Sequence, residues 1–105
     1  MAKPSGARDP WVGVWTCSSV AYTIDRSGAA FTVRCVDRND GEVFDVSEIA
    51  FDGTALRFHA RIPSNGHQVD HVFRLNADGT MDDRYTAHHT TGKSSDHEDT
   101  LQPLG

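Results

Sequence analysis

His71, Asp83 and Tyr85 are the residues of this chain whose types could move a proton. An imidazole titrates near neutral pH, a carboxylate can orient or charge it, and a phenol can polarise a carbonyl or enol oxygen. Such a trio suits isomerisation, dehydration or cyclisation in a dry pocket. The chain's six histidines raise a second chemistry, metal binding, with His67 and His89 as a cross-strand imidazole pair. His88 alternates to the opposite face and His97 lies near the C-terminus. No HExxH, CxxC or finger-type spacing occurs, so neither metal nor cofactor is expected. Cys35 has no base fixed beside it and reads as a small apolar core residue. Ser47 lacks the turn context of a nucleophile.

Something must bring these side chains together, and the glycines say what. Gly28, Gly41, Gly53, Gly66, Gly79 and Gly92 recur every 12 or 13 residues, behind Ser27, Asp40, Asp52, Asn65, Asp78 and Thr91. Such pairs between alternating apolar stretches mark hairpin turns. They predict six strands at 12–25, 29–37, 42–51, 55–63, 67–76 and 80–90. Residues 1–10 read as a disordered arm, 11–92 as a β-barrel domain and 93–105 as a polar tail. Evenly spaced up-and-down strands of about ten residues, each near 33 Å long, favour closure into a barrel. The expected fold class is therefore all-β: an antiparallel up-and-down meander of six to eight strands forming a small barrel.

The opening of the first strand adds a resemblance. Gly13-Val14-Trp15, with Trp11 just before it, resembles the Gly-x-Trp start of calycins, the superfamily of lipocalins, fatty-acid-binding proteins and avidins. That resemblance implies a calycin-like barrel holding a small apolar ligand, one end closed by Trp11 and Trp15. Lipocalins and avidins have eight strands. A seventh and eighth would have to come from the tail or from a second subunit.

Alternation of side chains along each strand selects the inner face. Pairing Leu75 with Met81, Phe58 with Phe73, and Phe51 with Leu56 sets the registers. Phe31, Ser47, Ala60, His71 and Tyr85 then form one inner row, with Tyr22 at its end. Asp45 falls in the next row, among Val33, Ile62 and Val69. Asp83 falls with Phe58 and Phe73, diagonal to His71. Burying such polar groups unpaired costs about 2–7 kcal/mol each, so a ligand cavity or a hydrogen-bonded network is implied. The expected ligand lining is Tyr22, Phe31, Asp45, Ser47, Phe58, Ala60, His71, Phe73 and Tyr85. Phe44 and Val46 fall on the outward face. Their size calls for either a β-bulge or a subunit interface that would make a homodimer.

The totals narrow the function classes. Ten basic against fifteen acidic residues give a net charge of −5, which disfavours nucleic-acid binding. No apolar run approaches the ~18 residues of a membrane span, so no membrane partner is expected. The start MAKPSGARDP has no apolar signal stretch, which predicts a cytoplasmic protein with Cys17 and Cys35 as free thiols. Three functions fit: a binding protein for a small apolar or aromatic molecule, an acid–base enzyme of isomerase or cyclase type using His71 and Tyr85, or an oligomeric interaction module without a ligand.

Overall fold

The glycine turns reverse the chain as the sequence predicts: all six have positive φ, from 61° to 96°. Gly79 illustrates why. Asn76 N donates to Thr80 O at 2.9 Å and Gly79 N to Asn76 O at 3.2 Å. No heavy atom lies within 4 Å of where a Cβ on Gly79 would stand, so the left-handed backbone and not space selects glycine there.

The computed structural model describes residues 9–104; residues 1–8 of the expected arm lie outside them. Eight antiparallel strands follow in order: β1 Gly13–Thr16, β2 Val20–Ser27, β3 Ala30–Asp37, β4 Asp45–Phe51, β5 Leu56–Arg61, β6 Gln68–Leu75, β7 Met81–His88 and β8 Ser94–Pro103. The sheet runs β3-β2-β1-β8-β7-β6-β5-β4. An isolated bridge, Val36 to Val43, links the outer strands β3 and β4, so the up-and-down sheet is nearly closed into a barrel.

Four expectations are corrected. The first predicted strand is two strands, because the chain turns at Cys17–Ser19. Cys17 N donates to Val20 O at 3.1 Å and the Arg38 guanidinium holds Cys17 O at 2.6 Å. That turn has no glycine, so the glycine spacing passes over it. The expected polar tail contains β8, which pairs with β7 along eight residues and with β1 at Trp15–Pro103 and Thr16–Gln102. Its inner positions are mostly polar, so apolar alternation does not reveal it. Leu101, fully buried opposite Met81, is its one large apolar anchor.

The β5–β6 register differs by two residues. The turn holds Pro63–Gly66, closed by Ile62 N to His67 O at 2.8 Å, and it pairs Leu56 with Phe73 and Phe58 with His71. The fourth correction is in β4. Its register shifts between Ser47 and Ala50, and Glu48 takes a left-handed φ of 55°. This β-bulge reverses the alternation on either side of it. Phe44, Val46, Ile49 and Phe51 all pack against the core, while Asp45 and Ser47 are exposed. The outward face that Phe44 and Val46 were expected to offer a second subunit is thus occupied by other residues.

The core fills one end of the barrel. Trp11 stands edge-on to Phe31 and Phe51, with centroids 6.2 and 5.3 Å away. Trp15 Nε1 donates to Trp11 O at 3.0 Å. The Arg26 guanidinium covers the Phe31 ring at 4.6 Å and pairs with Asp9 at 3.1 Å. Ile24, Leu56, Phe73, Met81 and Leu101 are fully buried beside this cap. Each large side chain so buried contributes about 1.5–3 kcal/mol.

Candidate functional site

β6 and β7 carry the site's centre. The Leu75–Met81 pairing is found, and it places His71 opposite Tyr85 and Phe73 opposite Asp83. Asp83 is therefore diagonal to His71, on the same inner face. His71 Nδ1 and Asp83 Oδ1 are hydrogen-bonded at 2.9 Å, with the side chains 6% and 1% exposed. Phe58 stacks on the His71 ring at 4.7 Å and 17°, a contact that follows from the corrected register. Tyr22 stands edge-on to His71 and Phe73, at 5.6 and 5.1 Å. Such packing fixes the imidazole's tilt, and the carboxylate fixes which nitrogen faces it.

Burial raises the Asp83 carboxyl above the usual range; the His71 hydrogen bond and charge oppose that shift, and Asp99 adds to it. Its second oxygen, Oδ2, is buried with no hydrogen-bond partner among the described residues. Burial, then the charge of Asp83, pushes Tyr22 well above its ordinary value. Tyr85 rises too, through burial and then Asp99.

The inner face is uncovered at the other end. β1 reaches only the last residues of β8, so the rest of β8 has no strand on that side among the described residues. Tyr85, Ala87 and Ser95 face inward there yet are only half-buried, and His97 is exposed. Tyr85 and His97 stack at 5.0 Å and 22°. The Ser95 hydroxyl lies 2.8 Å from His97 Nε2 and 3.4 Å from His89 Nε2. His67 and His89 face each other as expected, ring centroids 5.0 Å apart. No group of three or more His, Cys, Asp or Glu among the described residues is arranged to hold a metal ion.

The structure thus brings Tyr22, Phe58, His71, Phe73, Asp83 and Tyr85 together. It places four expected lining residues elsewhere. Ser47 is exposed; Asp45 points outward and lies 3.5 Å from Arg61. Phe31 belongs to the closed end with Trp11 and Phe51. Ala60 is fully buried opposite Val69, one row from His71. Ser95, His97 and Asp99 join the inner face from β8 and were not foreseen. The signal for them was the Thr91-Gly92 turn, which needs a following strand: His89 N donates to Lys93 O at 2.8 Å.

The outer face carries its own polar ladder. Asp70 accepts from His59 at 2.7 Å and from His88 at 2.9 Å, while Arg84 pairs with Glu98 at 2.9 Å. A shallow depression of about 550 Å³ lies over Val72, Arg84, Thr86 and Asp96, and Tyr85 and His97 also line it.

No helix among the described residues is long and apolar enough to cross a membrane. Compared with protein-family models, with curated proteins and with solved structures, the chain matches none.

Proposed function

We propose that this chain binds a small apolar or aromatic molecule against the uncovered half of its inner face. The observation that supports this reading most is the contrast along β7. Met81 and Asp83 are buried, whereas Tyr85 and Ala87, on the same inward stripe, are only half-covered. An interior stripe that ends in an uncovered Tyr85–His97 stack offers an aromatic wall with polar groups around it, the usual anatomy of a ligand site. Titrating 2-naphthalenemethanol while following protein fluorescence tests this. Binding in the wild type, weakened roughly tenfold by Tyr85→Ser and untouched by the outward Val72→Ser, is expected, since losing an aromatic contact of about 1.4 kcal/mol is tenfold. Equal affinity in wild type and Tyr85→Ser contradicts it.

A second reading rests on the 2.9 Å His71–Asp83 contact. Asp83 would orient the imidazole, His71 Nε2 would accept a proton, and the Tyr85 hydroxyl would polarise the neighbouring carbonyl. Exchange of the α-protons of 2-tetralone in deuterated buffer probes this acid–base activity. Acceleration by the wild type, abolished in His71→Gln with binding retained, supports it; no acceleration over buffer removes it.

A further inference from the structure

On the outer face of β6–β8, opposite the ligand surface, we propose a second site that cleaves neutral aryl esters. Ser94 is its nucleophile, His88 the base and Asp70 the group that positions the ring. The Ser94 hydroxyl lies 3.0 Å from His88 Nδ1, and His88 Nε2 lies 2.9 Å from Asp70 Oδ2. Each imidazole nitrogen thus has one partner, a nucleophile on one side and an orienting carboxylate on the other. Among the described hydrogen bonds, no other histidine is so placed. His71 bonds to a carboxylate and no hydroxyl; His89 and His97 share the Ser95 hydroxyl without a carboxylate. The registers build the trio. His88 stands opposite Ser94 on β8 and opposite Gln68 on β6, which leaves Asp70 diagonal to it. The turn closed by His89 N and Lys93 O at 2.8 Å sits directly behind that rung.

The carboxylate selects the tautomer. The hydrogen bond from His59 holds Asp70 below 3.8, so near neutral pH Asp70 can only accept. The neutral His88 ring then carries its proton on Nε2 and turns the Nδ1 lone pair to the Ser94 O–H, as a general base must. His59 engages the other oxygen, Oδ1, at 2.7 Å and is itself held by Gln68 Oε1 at 2.7 Å, so Asp70 is fixed from two sides. A substrate can reach the trio: Ser94 is exposed, and the side chains of His88 and Asp70 are 43% and 57% exposed. Exposure also sets the substrate. Water weakens the stabilisation of an oxyanion, so the leaving group must depart readily, as a phenol does and an amine does not. Asp70, Asp96 and Glu98 line the shallow depression beside the site, which disfavours an anionic ester. In the first step Ser94 Oγ attacks the ester carbonyl and its proton passes to His88 Nδ1. The bond to the phenol oxygen breaks, and the phenol leaves with that proton. Water then attacks the acyl-Ser94 carbonyl, giving a proton to Nδ1 that returns to Oγ as the carboxylic acid departs.

The test treats the full chain with p-nitrophenyl acetate at pH 7, follows p-nitrophenolate release and maps the acetyl group by peptide mass spectrometry. Ser64 is the internal control, an exposed serine whose hydroxyl meets only a carboxylate, Glu42, at 2.8 Å. A positioned base contributes about 10²–10⁴-fold, so Ser94 should be acetylated at least about tenfold faster than Ser64 even in this open site. His88→Gln should remove that advantage. Asp70→Asn should reduce it and Asp70→Glu restore part of it, with the melting temperature reporting that each variant is folded. Equal acetylation of Ser64 and Ser94, or acetyl on histidine or lysine and none on Ser94, overturns the site. Ser94 acetylated as fast in His88→Gln as in the wild type overturns the assignment of the base. Ser94→Ala should abolish the mapped acetyl and leave 2-naphthalenemethanol binding on the inner face unchanged, so the two readings stand or fall separately.

Discussion

Asp83 lies diagonally across the β6–β7 pair from His71, bonded to it through one carboxylate oxygen at 2.9 Å and bare on the other. This contact joins the buried core to the uncovered inner face, and it couples stability to whatever the site does.

Removing the carboxylate should therefore cost more than neutralising it. Asp83→Ala leaves His71 Nδ1 buried without a partner, a loss of about 1–3 kcal/mol. Asp83→Asn keeps an acceptor and removes the desolvated charge, so it should lie within about 1 kcal/mol of the wild type at pH 7. Urea unfolding of the two variants checks this. Equal losses in both would contradict a hydrogen-bonding role for Asp83.

The β4 bulge predicts the opposite sign at another position. Glu48 holds φ 55°, a conformation that costs a side-chain-bearing residue about 1–2 kcal/mol and glycine little. Glu48→Gly should stabilise the protein by up to about 1 kcal/mol, and Glu48→Val should destabilise it. Thermal unfolding of both variants distinguishes this from an unstrained loop, in which Glu48→Gly would lower the melting temperature.

Much of the fold can be read from the chain because the Gly turns report themselves and the Leu75–Met81 pairing follows from one of them. That pairing alone brings His71, Asp83 and Tyr85 onto one face. The half of the site on β8 is hidden for a physical reason: Ser95, His97 and Asp99 line an uncovered face and need no apolar alternation. The bulge is hidden because Glu48 is not one of the small residues that announce left-handed backbone, though the outward placement of Phe44 and Val46 flagged a misfit there. The β5–β6 register was missed because apolar pairing of Phe58 with Phe73 competes with the turn's own geometry, and the turn prevails.

The outer ladder should make stability depend on pH. The Asp70 hydrogen bond raises His59 above 6.5, and His59 in turn lowers Asp70 below 3.8. A raised histidine contributes fully below its unfolded value and loses that contribution as pH climbs through the folded one. A lowered carboxylate contributes above its unfolded value and loses it as pH falls through the folded one. The pair's stabilisation, at most about 1 kcal/mol for groups this exposed, thus peaks between pH 3.8 and 6.5. The melting-temperature gap between wild type and His59→Gln should be widest near the middle of that window and narrow in alkaline buffer. A gap that widens with rising pH contradicts the pairing.

The two cysteines should differ in reactivity. Both are free; Cys35 is fully buried, and burial pushes its thiol far above the ordinary value, whereas Cys17 is half-buried at the β1–β2 turn. Ellman's reagent should titrate one thiol in the native protein, lost in Cys17→Ser, and a second only on unfolding. Two thiols reacting at once without denaturant would contradict a closed core around Cys35.

Methyl-resolved NMR during titration with 2-naphthalenemethanol tests the central claim most directly, because methyl groups on the two faces of one strand report separately. Val69 and Ala87 face inward, whereas Val72 and Thr86 face outward over the shallow outer depression. The account predicts saturable shifts at the Val69 and Ala87 methyls with Val72 and Thr86 unmoved. Shifts confined to Val72 and Thr86, or none at saturating probe, would place binding outside the barrel or nowhere on it.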